Sequence, residues 1–219
     1  MTTTTGSPRK EYSDGAWQLM VAAEKLFGHR GIENVSLREI ATAAGHANNS
    51  AVQYHFGSKE NLVQAVFEMR LPALDAARTK RLEIERAAGP LTLRALLAAL
   101  LLPVLEEFDD QSLENFVLFM TRLAHRRTAE HPFFLAADIA PASVEIVDEI
   151  TRLLSHLPFE VFSIRLRLGI DLFLDSLAER NRIQQSEQNP YLDESAFWND
   201  ILDLATAVMQ TPLTAPLKS

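Results

Sequence analysis

The sequence predicts an all-α protein of about nine helices, because apolar residues recur at helical spacing along most of its length. From residue 91 onward the pattern predicts helices throughout. Capping side chains, glycines and prolines interrupt the helical pattern at intervals, which gives the predicted helices their ends. The longest apolar run, residues 95–105, is shorter than the roughly 20 residues that a membrane-spanning helix needs.

Composition limits the class of protein further. Hydrophobic residues make up 47% of the chain, which is enough for a sizeable core. The chain contains no cysteine, so disulfides and thiolate metal sites are excluded, as expected of a protein in the reducing cytoplasm. The first ten residues lack the apolar core of a signal peptide, and we therefore predict a cytoplasmic location.

Residues 36–59 have the order of parts of a helix-turn-helix. Ser36 and Glu39 have the spacing of a capping box, which predicts the start of a short helix. Gly45 ends that helix, because glycine adopts the left-handed conformation of a sharp turn at low cost. A second short helix opens at Asn48, Asn49 or Ser50, and it closes on the aromatic run 54–56.

The second short helix presents side chains that suit DNA. Asn and Gln amides pair with adenine edges in the major groove, whereas hydroxyl, imidazole and ammonium groups reach phosphates. The fourth predicted helix starts at Ser58, and its N-terminal amides are expected to form a phosphate site. The candidate DNA-binding residues are Ser36, Arg38, Asn48, Asn49, Ser50, Gln53, Tyr54, His55 and Lys59.

Residues 16–67 resemble the DNA-binding domain of the TetR family of bacterial transcriptional regulators. The residues that carry the resemblance are Leu19, Ala22, Ala23, Leu26, Phe27, Gly31, Val35, Ser36, Leu37, Ile40, Ala41, Ala44, Gly45, Tyr54, His55, Phe56, Ser58, Lys59, Glu60 and Leu62. The stretch from Gly45 to Phe56 is one residue longer than the family pattern. The extra residue falls within His46–Asn49, so which side chains there reach bases stays open.

The resemblance implies an N-terminal three-helix helix-turn-helix DNA-binding domain followed by a larger helical ligand-binding and dimerisation domain. We predict a disordered arm over 1–12, the DNA-binding domain over 13–60, the sensing and dimerisation domain over 61–210, and a flexible tail over 211–219. The implied function is that of a ligand-responsive transcriptional regulator, in the usual case a repressor. It would bind a palindromic double-stranded operator as a homodimer and leave it when a small-molecule effector binds.

Charge is distributed unevenly along the chain. The net charge is −8, yet residues 1–60 hold six basic and six acidic residues, so the acidic excess lies entirely in residues 61–219. The predicted DNA-binding domain is therefore not repelled by phosphate as a whole. We expect modest non-specific affinity for DNA and a strong dependence of binding on salt.

The C-terminal helices supply the predicted sensor and dimer interface. Pro72 falls inside the predicted fourth helix, where it removes a backbone hydrogen bond and indicates a kink that could act as a hinge. The candidate ligand-binding residues are Phe116, Phe119, Met120, Arg122, Leu123, His125 and Phe173. The last two helices carry apolar residues on more than one side, and the family resemblance implies that they pair with their copies through Ile164, Leu168, Leu172, Phe197, Trp198, Ile201, Ala205 and Val208.

Two other classes of function compete with this interpretation. The sequence has no phosphate-binding glycine loop, nucleophile elbow or paired-carboxylate signature, so we predict neither an enzyme nor a cofactor. His125 and His131 do not have the spacing of a helical metal pair, and no metal site is predicted. The alternative that remains is a helical ligand-binding adaptor without sequence-specific DNA binding, which the low basicity and the extra residue near His46 favour.

Overall fold

The computed structural model describes residues 12–46, 50–124, 126, 138–186 and 188–214. They form ten α-helices and one 3-10 turn, which confirms the all-α prediction. The helices are α1 Asp14–Arg30, α2 Leu37–Ala43, α3 Ser50–Phe56, α4 Lys59–Ala88, α5 Leu93–Leu101, α6 Pro103–Glu107, α7 Asp110–Ala124, α8 Pro141–Leu153, α9 Phe159–Gln184 and α10 Glu194–Gln210, and the 3-10 turn is Ile32–Asn34. Among these helices, none is both long and apolar enough to cross a membrane.

Several predicted features lie outside the described residues. They are residues 1–11 of the predicted arm, residues 215–219 of the predicted tail, and the candidate site residues Asn48, Asn49 and His125.

The chain divides into two compact units. Unit 1 comprises Met1–Pro72 and Leu118–Pro141, and unit 2 comprises Ala73–Val117 and Ala142–Ser219. The predicted boundary at residue 60 coincides with the start of α4, whereas unit 1 continues along α4 to Pro72. Unit 1 also includes the C-terminal end of α7, a contribution that the linear order of the chain does not suggest.

Local chemistry sets the ends of the helices in unit 1. The Ser13 hydroxyl accepts a hydrogen bond from the Ala16 amide at 3.3 Å and caps α1. Gly31, with φ of 83°, ends α1 and directs the chain into the 3-10 turn. A serine before an apolar stripe and a glycine after it are end signals that depend only on neighbouring residues, so the sequence alone accounts for both ends.

One predicted helix is divided in the structure. Residues 91–108 read as a single apolar helix, but α5 ends at Leu101 and α6 begins at Pro103. Proline cannot donate the backbone hydrogen bond that a helix interior requires, although it is well tolerated in a first turn. The start of α7 also differs from the prediction, because Asp109 rather than Ser112 is the cap, its carboxylate accepting from the Ser112 amide at 2.8 Å.

A buried polar network joins α4, α5 and α8 within unit 2. Asp75 on α4 accepts hydrogen bonds from the Ala142 amide at 3.0 Å, the Ser143 amide at 2.9 Å and the Ser143 hydroxyl at 2.7 Å. Arg78 donates to the Ser143 hydroxyl and to the Leu100 carbonyl, both at 2.9 Å. Burial lowers the pKa of Arg78 to about 10. Asp75 thus caps α8 from a different helix, and its charge favours the N-terminal end of the α8 dipole.

Helices α9 and α10 pack against each other in antiparallel orientation. The Arg165 guanidinium donates to the Met209 carbonyl at 3.0 Å, and the Phe173 and Trp198 rings lie 5.4 Å apart farther along the pair. Between these contacts a Cβ on Gly169 would lie 3.9 Å from the Ala205 Cβ, so the two backbones approach closely there. Helix α10 also packs against α5.

A buried ion pair joins α1 to the first half of α4 in unit 1. Glu24 is only 1% exposed, and both of its oxygens accept hydrogen bonds from the Arg70 guanidinium, at 3.1 and 2.7 Å. Burial raises the pKa of Glu24, while the hydrogen bond and charge of Arg70 act in the opposite direction. The pair fixes the packing of α4 against α1, because neither charge can be buried without the other.

We predict that Arg70→Met destabilises the protein by roughly 3–5 kcal/mol, because it leaves the Glu24 carboxylate buried without its partner. Chemical denaturation of the full chain measures this change. The double variant Glu24→Leu/Arg70→Met should recover most of the loss, since two apolar side chains replace the pair. A double variant no more stable than Arg70→Met would show that the pair does not determine the stability of this packing.

Candidate nucleic-acid interface

Helix α3 presents one polar side to solvent. Val52 and Phe56 are buried, and α3 packs against both α1 and α2. The side chains of Ser50, Gln53 and Tyr54 are exposed, and Tyr54 is 85% exposed. Three of the predicted DNA-binding residues therefore share the solvent side of a short helix whose other side is fixed by packing.

Gly45 allows the chain to turn after α2. Gly45 has φ of 81°, a conformation that glycine adopts far more readily than other residues. The next amide, that of His46, then donates to the Ala41 carbonyl at 2.8 Å, which satisfies a carbonyl at the end of α2. The imidazole of His46 is directed inward, and its Nε2 is buried.

The N-terminal end of α2 has the predicted capping box. The Ser36 hydroxyl accepts from the Glu39 amide at 3.3 Å, and the Glu39 carboxylate accepts from the Ser36 amide at 2.8 Å and from its hydroxyl at 2.7 Å. Arg30 makes an ion pair with Glu39 at 2.8 Å. The Ser36 hydrogen bonds, with help from Arg30, lower the pKa of Glu39 to about 2. Ser36 is thus committed to the cap, and Arg38 beside it is exposed.

The predicted phosphate contact Lys59 has an internal partner. Its Nζ donates to the Glu33 carbonyl at 3.4 Å and lies 5.9 Å from the centre of the Phe27 ring. Lys59 is half-buried, and the Ser58 hydroxyl before it caps α4 by accepting from the Asn61 amide at 3.0 Å. A change at Lys59 would therefore disturb the packing of unit 1 as well as any phosphate contact.

The C-terminal end of α7 and the residues just after it contact the end of α1 and the 3-10 turn. The Phe119 ring stacks on Phe27 with centroids 6.4 Å apart, and the Arg122 Nε donates to the Gly28 carbonyl at 3.3 Å. Arg126 makes an ion pair with Glu33 at 3.0 Å. Arg122 and Phe119, both predicted to bind a ligand, thus have partners in α1. The spacing of four between the two arginines was visible in the sequence, but their partners were not.

The other predicted ligand-binding residues are buried side chains. Phe116 stacks on Phe108 with centroids 4.9 Å apart, and Phe173 contacts Trp198. Met120 and Leu123 are likewise buried. A groove of about 270 Å³ lies elsewhere in unit 2, at the turn between α8 and α9, and none of the predicted residues lines it. Its lining residues are Thr151, Arg152, Leu154, Ser155, Leu157, Phe159 and Phe162.

The predicted dimer-interface residues fall into two groups. Four of them are buried inside the single chain: Phe197, Trp198, Ile201 and Ala205. The residues that remain at least partly exposed are Ile164, Leu168, Leu172 and Val208. Burial in the first group results from the packing of α10 on α9 and α5, which the apolar pattern alone could not distinguish from packing on a second subunit.

We predict that Ser36→Ala raises the pKa of Glu39 from about 2 toward its ordinary value of 4.5, because the largest cause of the shift is removed. The capping contribution of Glu39 is fully present above the ordinary pKa and is lost as the pH falls toward about 2. Carboxyl chemical shifts followed by NMR during an acid titration measure both variants. Arg30→Gln is the control and should give a smaller rise, so an equal or larger rise would contradict this ranking.

Comparisons with known proteins found one family model and several solved structures similar to this chain. Residues 19–66 match the family model described as bacterial regulatory proteins, tetR family. A putative TetR-family transcriptional regulator from Rhodococcus sp. is 16% identical, with 90% of this chain and 100% of that chain covered and a TM-score of 0.49. A transcriptional regulator from Rhodococcus sp. Rha1 is 23% identical, with 89% and 95% covered and a TM-score of 0.48.

Neither structural likeness is close enough to transfer a function. The assignment depends on residues 19–66, where the family model coincides with α1, α2, α3 and the start of α4. Residues 19–66 are thus similar to the helix-turn-helix domain of the tetR family of bacterial regulatory proteins.

Proposed function

We propose that this regulator is a homodimeric repressor that binds a palindromic operator and is released from it by a small-molecule effector. The observation that carries the proposal is the exposed polar side of α3, with Ser50, Gln53 and Tyr54 at its centre. Helix-turn-helix dimers place two such helices in successive major grooves, about 34–36 Å apart. The operator should therefore consist of two inverted half-sites.

In this proposal Gln53 reads a base, and Tyr54 contacts the phosphate backbone. The Gln53 amide is exposed in the middle of α3 and can form a bidentate pair with an adenine. Tyr54 follows it with its ring almost fully exposed, which suits a hydroxyl contact to phosphate. Ser50 lies at the N-terminal end of the same helix.

The dimer part of the proposal is supported by an apolar face of the α9–α10 pair, formed by Ile164, Leu168, Leu172, Leu204 and Val208. Because α9 and α10 are antiparallel with Gly169 against Ala205, the residues that precede these two, Leu168 and Leu204, lie on the same side of the pair. They are 45% and 46% exposed. A second copy of the same face would remove them from water.

The effector part of the proposal places a mostly apolar small molecule in unit 2. Phe116 and Phe173 remain candidate contacts, since both are buried among the helices of that unit. An effector releases the operator only if it prefers a conformation in which the two α3 helices do not match the half-site spacing.

The test of the function is selection of bound sequences from a random pool of duplex DNA by the full-length protein. Enrichment of a palindrome, with an affinity that falls steeply as salt rises, is the expected result. Failure to enrich any sequence, from protein shown to be folded and dimeric, would contradict the proposal and favour a ligand-binding adaptor.

We predict that Gln53→Ala reduces discrimination at one base pair of each half-site by about 1–3 kcal/mol, while affinity for random DNA stays unchanged. Competition binding with half-site variants measures the effect. Gln111→Ala, which removes an exposed glutamine from α7, is the matched control and should behave as the wild type. Unchanged base preference in Gln53→Ala would show that another residue reads this position.

We predict that Leu168→Asp converts the dimer into monomers, because it introduces a charge into the proposed apolar face. Sedimentation equilibrium measures the association, and operator affinity should fall in parallel. Ile84→Asp is the control, since Ile84 is 62% exposed on α4 and lies outside that face. A Leu168→Asp protein that remains dimeric would place the interface elsewhere.

A further inference from the structure

Two histidines converge on one small space beside the first turn of α1. His46 belongs to the turn after α2, and His55 belongs to the last turn of α3. The Nε2 atoms of His55 and His46 lie 3.8 and 3.9 Å from the point where a Cβ on Gly15 would stand. The space exists because residue 15 has no side chain, and we call it the Gly15 space.

The buried nitrogen of His46 lacks a protein partner. Its Nε2 has no hydrogen bond to any part of the chain that the structure describes, although it is removed from solvent. A buried polar atom without a partner costs free energy and usually indicates a bound water or ion. An apolar residue would fill the same position without that cost, so the imidazole calls for an explanation other than packing.

We propose that His46 and His55 bind one divalent transition-metal ion, such as Zn²⁺, Ni²⁺ or Cu²⁺, in the Gly15 space. Neutral imidazole is a preferred ligand for these ions, whereas Mg²⁺ and Ca²⁺ require oxygen ligands. No group of three or more histidine, cysteine, aspartate or glutamate side chains suited to a metal occurs among the described residues. The site is therefore a two-histidine site, and water completes the coordination.

His46 precedes α3 in the chain, and His55 lies in the last turn of that helix. A metal ion held by both would cross-link the turn after α2 to the C-terminal end of α3 and so oppose fraying of the helix. An ion that binds only the native state raises thermal stability, and the rise grows with the logarithm of its concentration once this exceeds the Kd. A stabilised α3 and an added positive charge beside it would both favour DNA binding.

Titration of the untagged full-length protein with nickel(II) or zinc(II) chloride tests the proposal. Equilibrium dialysis gives the stoichiometry, and the shift in melting temperature gives an independent measure. We expect one ion per chain in the submillimolar range and no shift with magnesium chloride. Absence of nickel and zinc binding would overturn the proposal, as would a shift of the same size with magnesium.

Two variants remove the site without threatening the fold. Gly15→Ala fills the space with a methyl group at ordinary contact distances of 3.7–3.9 Å, and alanine is a better helix former than glycine. His46→Val replaces the unpartnered imidazole by an apolar side chain. Each should weaken metal binding by at least about tenfold. His156→Gln, at an exposed position in unit 2, is the control and should bind as the wild type.

Metal binding that is unchanged in both Gly15→Ala and His46→Val would overturn the proposal, because the ion would then occupy another site. The measurement uses no DNA, so its result is separate from that of the repressor proposal. Operator affinity measured with and without nickel then shows whether the ion also affects DNA binding. The expected result is tighter binding with nickel in the wild type and no change in Gly15→Ala.

Discussion

The shortness of helix α3 is the constraint on which the rest of unit 1 depends. It has seven residues, and an isolated helix of that length is not stable in water. Only Val52 and Phe56 are buried, so its own contribution to the core is small. The remaining stability comes from neighbours that hold both ends, namely the glycine turn before it and the capped start of α4 after it. A polar side can stay exposed for DNA because packing on the other side does not require it.

Helix α4 carries one buried charge into each compact unit. Arg70 pairs with Glu24 in unit 1, and Asp75 caps α8 in unit 2. Pro72 lies between these two residues, at the end of the first part of unit 1. Removing the partner of a buried charge is costly, so the Arg70–Glu24 pair and the Asp75 cap each oppose local rearrangement. Pro72 removes a backbone hydrogen bond from α4 and takes part in neither of these two interactions.

The sequence predicted the features that depend on neighbouring residues. The Ser36–Glu39 box, the Ser13 cap and the positive-φ glycines 31 and 45 all follow from signals within a few positions, and the family motif itself is a set of such signals. It did not predict partners that only the fold brings together. Arg122 and Gly28 are 94 positions apart, and Asp75 and Ala142 are 67 apart. The apolar pattern of α10 likewise could not separate a core face from an interface, because Trp198 is apolar in either case.

The discontinuity of unit 1 has a consequence for synthesis on the ribosome. The residues up to Pro72 leave the exit tunnel long before the end of α7, yet Phe119, Arg122 and Arg126 complete the contacts of α1. The nascent chain therefore passes through a period in which Phe27 lacks its stacking partner and the Gly28 carbonyl lacks the Arg122 donor. During that period about 45 residues of unit 2 are made, a few seconds at ordinary elongation rates. Unit 1 therefore finishes folding only after the first part of unit 2 has been translated.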